Sequence, residues 1–173
     1  MQSPHVSGFV KCILMQQGVG TQWPRAGEIC LMSYAGDISC REGWEMLSAD
    51  PTAQLIDVRT SAEWNFVGVA MLAPIGKEPL LVEWQHYPSM AVNASFVEAV
   101  SAQLQRLDVG TDAPLLCICR SGARSASAAA ALTAAGFSAA YNIAGGFEGA
   151  RDANGHRGAV EGWKHDGLPW MQG

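Results

Sequence analysis

The stretch that most constrains this chain is Cys117-Ile118-Cys119-Arg120-Ser121-Gly122-Ala123-Arg124-Ser125. An apolar run from Ala113 to Ile118 leads directly into Cys119, and an alanine-rich segment ending before Gly136 follows the loop. That order of patterns predicts a buried strand, a tight polar loop and a helix packed close to a sheet. A thiol delivered by a strand to the mouth of a helix sits among backbone N–H groups and the positive end of the helix, both of which stabilise negative charge on sulfur. Strand alternation puts Cys117 and Cys119 on one face. Cys117 lies inside the apolar run and reads as a small core residue, whereas Cys119 borders the polar loop and reads as the functional thiol.

Short strands alternating with helices along the rest of the chain indicate an α/β fold with a mostly parallel sheet. Ser39-Cys40-Arg41-Glu42 matches a capping box and opens a helix. Gln54–Val58 reads as a strand, Ser61–Trp64 as a helix start and Pro79–Trp84 as a strand. Phe96, Val97, Val100, Leu104 and Leu107 mark an amphipathic helix within 93–107. Ala113–Cys119 is the central strand, Arg124–Ala135 a helix stopped by Gly136, and Ala139–Ile143 another strand. Trp163–Trp170 is expected to form a short closing helix and turn. In parallel sheets, ligands collect beyond the carboxyl ends of the strands. Cys119 and Arg59, each following a strand, are therefore expected at one edge.

A chain of 173 residues, 49% hydrophobic and 16% charged, has the length and composition of one folded domain. Residues 1–31 lack a clear period and are expected to be a flexible extension or a start-site artefact, with the domain running from 32 to 173. The net charge of -5 and the lack of a basic block argue against nucleic acid as a partner. No apolar run approaches the roughly 20 residues of a membrane span. Five cysteines without a CxxC pair point to neither a disulfide framework nor a zinc site, and a reduced, cytoplasmic protein is expected.

Leu55-Ile56-Asp57-Val58-Arg59 with Glu63, Trp64 and Gly68, the Cys119–Ser125 loop, and Asn142-Ile143-Ala144-Gly145-Gly146-Phe147 together resemble the rhodanese-like sulfurtransferases over about residues 33–170. The resemblance implies a three-layer α/β sandwich with a central, mostly parallel β-sheet flanked by helices. It also implies transfer of a sulfane sulfur, from a donor such as thiosulfate to a cyanide or thiol acceptor, through a persulfide on Cys119. On that resemblance the donor would be a small molecule or a protein-bound persulfide, and no metal or organic cofactor would be required. Cys119 would be the catalytic nucleophile. The substrate-binding set would be Arg59, Arg120, Ser121, Gly122, Ala123 and Arg124, with Arg124 steadying the loop and Arg120 reaching the donor. Arg59 has a second reading, a structural ion pair with Asp57 or Glu63.

Two departures from that pattern stand out. Gly68-Val69-Ala70 replaces a Gly-His pair, and a long segment runs on to Met90, which either folds over the site rim or elaborates the surface. Ala150–Gly158 reads as a polar loop insertion. Two rival functions share the chemistry: a non-enzymatic binding module, and a cysteine-dependent phosphatase or arsenate reductase. The related phosphatase loops hold five residues between Cys and Arg, against four here, and the smaller loop suits a single sulfur better than a phosphate.

Overall fold

The computed structural model describes residues 33–173; the extension expected over 1–31 lies outside the described residues. The chain order is β1 (Gly36–Ile38), α1 (Cys40–Ala49), β2 (Gln54–Asp57), α2 (Ser61–Val67), β3 (Val69–Ala70), a 3-10 turn (Ala73–Ile75) and β4 (Leu80–Leu81). There follow β5 (Gln85–His86), β6 (Ala91–Val92), α3 (Phe96–Arg106), β7 (Leu115–Ile118), α4 (Ala123–Ala134), β8 (Ala140–Ile143) and β9 (Trp170–Met171).

Five strands form one sheet in the order β1-β8-β7-β2-β4, and every pairing in it is parallel. This is the α/β architecture the alternating pattern implied. The central strand β7 is buried on both faces, as its unbroken Leu-Leu-Cys-Ile run requires. Leu115, Cys117 and Cys119 turn to one face, against Phe96, Val100 and Leu104 of α3 and Ala128, Ala129 and Leu132 of α4. Leu116 and Ile118 turn to the other, with Leu47 of α1 and with Phe147, Trp163 and Leu168 of the C-terminal segment. Helices on one side and a helix plus a packed segment on the other make the three layers.

Local chemistry explains the element ends. Ser39 and Glu42 form the expected capping box, and Thr60 with Glu63 forms a second one at the start of α2. After α4, Gly136 N–H donates to Thr133 O and Phe137 N–H to Leu132 O, the paired bonds of a Schellman stop. One expected element is corrected: residues 163–167 form turns rather than a helix. Gly167 takes φ +69° and Pro169 offers no amide, so a helical ladder cannot continue. The chain instead ends as β9, antiparallel to β3. No helix of the described residues is long and apolar enough to cross a membrane.

Candidate active site

β2 and β7 are parallel neighbours in register, Asp57 opposite Ile118, so their carboxyl ends open on the same edge. Cys119 follows β7 there and is almost wholly buried, at 2% exposure. Its Sγ accepts the Gly122 N–H at 3.1 Å, and the Ser125 hydroxyl lies at the same distance. The Ser125 oxygen is also 3.0 Å from Gly122 O, and its single proton serves one acceptor at a time. A thiolate outcompetes a neutral carbonyl for that proton, because donors bind charged acceptors more strongly. The amides of Arg120, Ser121, Ala123 and Arg124 have no acceptor among the described residues.

The loop is held from behind by the turn after β8. Phe147 N–H donates to Cys119 O at 2.7 Å, and Glu148 and Gly149 donate to Arg120 O at 3.0 and 3.1 Å. Gly122 adopts φ +99°, and a Cβ there would lie 2.2 Å from Ala144 O, so backbone freedom and close approach both require glycine.

Arg124 lines the cavity above Cys119, with its guanidinium engaged by Glu63: Nη1 to Oε2 at 2.8 Å and Nη2 to Oε1 at 2.7 Å. Glu63 also accepts the Thr60 amide and hydroxyl. Burial acts to raise the Glu63 pKa, but the hydrogen bonds from Arg124 and Thr60 outweigh it and hold the carboxyl at about 2. Arg124 is correspondingly raised: burial works against its charge, and Glu63 more than compensates.

Arg59 is not brought to this cavity. Its side chain is fully buried and forks onto Asp57, with Nε to Oδ1 at 2.9 Å and Nη2 to Oδ2 at 2.6 Å. Nη2 also donates to Gly68 O, and the guanidinium carbon lies 3.9 Å from the centre of the Phe147 ring. The expectation that Arg59 binds the donor is not met in this structure: its side chain has no exposed surface, does not line the cavity and is held on Asp57 and Gly68 O, with Nη1 left buried and without a partner. Cys117 lies beneath the site with no exposure, and burial pushes its thiol pKa upward.

The cavity encloses about 640 Å³. Cys119, Arg120, Ser121, Ala123 and Arg124 form its base, and Thr60, Phe66 and Val67 come from the β2–α2 side. Gln85, Tyr87 and Met90 complete it from the long segment after Gly68. Sequence reasoning left the rim role of that segment open and did not single out Phe66, Tyr87 or Met90. Glu63 was noted only as part of a motif, although the Thr-x-x-Glu spacing already marked it as a cap.

A family model described as the STR4 middle domain matches residues 35–173. The chain belongs to the STR4 middle domain family. A solved structure of similar build is that of Rv0390 from M. tuberculosis, which is 48% identical, covers 82% of this chain and 100% of its own, and superposes with a TM-score of 0.72. Uncharacterized proteins of Rickettsia rickettsii and Rickettsia conorii are each 32% identical over 135 residues, 78% of this chain and 96% of theirs. A more distant likeness is the solution structure of a polysulfide-sulfur transferase homodimer from Wolinella succinogenes, at 20% identity, 79% and 78% coverage and a TM-score of 0.49. The STR4 middle domain match spans all the parts described above, from β1 through the Cys119 loop to β9.

Proposed function

We propose that this protein is a sulfurtransferase that carries a sulfane sulfur as a persulfide on Cys119. The observation that carries the reading is the pair of donors aimed at the sulfur, Gly122 N–H and Ser125 Oγ, at the base of a cavity ringed by unpaired loop amides. Such a cradle stabilises a sulfur anion on a cysteine that is itself almost wholly buried. The Cys119 thiolate attacks the outer sulfur of a donor such as thiosulfate. The new S–S bond forms as the donor's S–S bond breaks, and sulfite leaves with the electron pair. A second nucleophile then takes the outer sulfur and returns the thiolate, a double displacement with ping-pong kinetics.

Arg120, exposed at the mouth and without an ion pair among the described residues, is placed to meet an anionic donor. Arg124 acts mainly through Glu63, holding the loop against α2, which fits sulfur transfer better than phosphoryl chemistry requiring that arginine on the substrate. Ser121, Gly122 and Ala123 contribute backbone.

Intact-protein mass after incubation with thiosulfate tests the reading. One added sulfur on the wild type and none on Cys119→Ser is expected. An unmodified wild type whose thiol is reduced, with thiosulfate and with inorganic polysulfide alike, would remove the proposal.

A further inference from the structure

The cavity above Cys119 is much larger than a sulfur atom or a cyanide ion needs. Pockets of roughly 300–1,000 Å³ hold whole organic ligands, and this one, at about 640 Å³, falls within that range. Its outer wall is apolar where soluble proteins normally place polar side chains. Phe66 is 78% exposed, Tyr87 66% and Met90 42%, and all three line the same cavity as the thiol. Scattered apolar residues need no explanation, but three large ones converging on a reactive centre do.

The segment bearing two of them is held in place. β5 and β6 pair antiparallel, Gln85 opposite Val92 and His86 opposite Ala91, to form a small hairpin. The Glu83 carboxylate receives the first amide of α2, Ser61 N–H, and pairs with His86 Nδ1 at 2.7 Å. Asn93 Nδ2 donates to Glu83 O at 2.9 Å, closing the other end of the hairpin. At its tip, Met90 N–H donates to His86 O and the residue takes φ +56°, a conformation that costs a non-glycine residue about 1 kcal/mol. A hairpin pinned to the helix that supplies Phe66, and holding Tyr87 and Met90 over the cavity, is a built wall.

We infer that the sulfur acceptor is a small organic thiol with an apolar, ring- or chain-bearing body that rests on Phe66, Tyr87 and Met90 while its sulfur reaches Cys119. The inference rests on the sulfurtransferase reading and narrows it. The acceptor thiolate R–S⁻ attacks the outer sulfur of Cys119–S–SH. The R–S–SH bond forms, the persulfide bond at Cys119 breaks, and its electron pair returns to Sγ as thiolate, where Gly122 and Ser125 receive it. The proton stays on the transferred sulfur, and no oxidant or reductant enters.

The experiment loads the full chain with sulfur from thiosulfate or inorganic polysulfide and confirms the adduct by mass. It then compares discharge by benzyl mercaptan with discharge by 2-mercaptoethanol, two alkyl thiols of similar acidity that differ in apolar body. The wild type should favour benzyl mercaptan in second-order rate constant by roughly tenfold, the scale of a modest hydrophobic pocket. The ratio should fall towards parity in a Phe66→Ser/Tyr87→Ser/Met90→Ser variant, whose altered side chains are exposed. A wild-type ratio near one overturns the inference without any variant, and so does a ratio that survives the triple substitution. In both cases the adduct itself would leave the sulfurtransferase reading standing. Failure to form any adduct would overturn both.

Discussion

Glu63 and Arg124, 61 residues apart in sequence, meet through two side-chain hydrogen bonds of 2.8 and 2.7 Å at the base of the cavity. One carboxylate thereby does two jobs. It completes the capping box of α2 with Thr60, and it fixes the first turn of α4, which carries the loop around Cys119. The two strand ends that frame the site are joined by this contact as well as by the sheet beneath.

The Glu63 carboxyl, held at about 2, makes a prediction with a definite sign. A folded-state pKa below the unfolded value means that the pair's contribution is fully present above the ordinary glutamate pKa of about 4.3 and is lost as pH falls through the folded pKa near 2. Glu63→Gln should cost roughly 2 kcal/mol at neutral pH, since it leaves a partly buried guanidinium without its counter-charge. The gap in thermal midpoint between wild type and variant should close between about pH 4.5 and 2. A gap that stays constant over that range would show that the pair contributes nothing through its charge.

Arg59 yields the opposite kind of prediction. Arg59→Ala strands Asp57, which is buried with no exposure, and should destabilise the protein by roughly 3–5 kcal/mol. Arg59→Met with Asp57→Leu removes both charges and should recover most of that loss. Chemical denaturation of the three proteins measures it. If Arg59 acted on the donor instead, the double variant would be stable but would need far higher thiosulfate concentrations for persulfide formation.

What was legible in the sequence was what local chemistry decides. The Ser39–Glu42 box and the Gly136 stop depend on residues within a few positions of one another and form as read, and the strand expected over Ala113–Cys119 forms over Leu115–Ile118. The two-residue strands β3, β5, β6 and β9 carry no period of their own; they exist because a partner strand pairs with them, a distant one for Val69 with Met171. The same distinction divides the site. Cys119 and its loop are contiguous and were readable. The placement of Arg59 turned on its pairing with a carboxylate two residues away, which spacing alone cannot decide. The apolar rim depends on a hairpin folding back over α2, held by Glu83 and Asn93.

Cys117 and Cys119 lie two residues apart on one face of the sheet and should differ entirely in chemistry. Cys117→Ser buries a hydroxyl in an apolar layer and should cost roughly 1–3 kcal/mol while persulfide formation on the folded protein persists. Cys119→Ser should leave stability almost unchanged and abolish the adduct. Equal loss of the adduct in both variants would mean that the two thiols act together. Mass measurement alongside a thermal melt separates these outcomes.

Gly146 tests whether the turn behind the loop sets the position of Cys119. It adopts φ +62°, and a Cβ there would lie 2.6 Å from both Arg120 C and Ser121 N, backbone atoms that cannot swing aside. Gly76 has nearly the same conformation, φ +69°, with nothing within 4 Å of its Cβ position. Gly76→Ala should therefore cost only the conformational penalty of a left-handed residue, about 1 kcal/mol, with sulfur transfer intact. Gly146→Ala adds a push on the amides that surround the sulfur. A displacement approaching 1 Å at a reacting centre can cost about a hundredfold in rate, so kcat/KM should fall by one to two orders of magnitude while the far-ultraviolet dichroism stays that of the wild type. Parallel behaviour of the two alanine variants would show that the loop absorbs the intrusion and that its geometry is set by β7 and α4 alone.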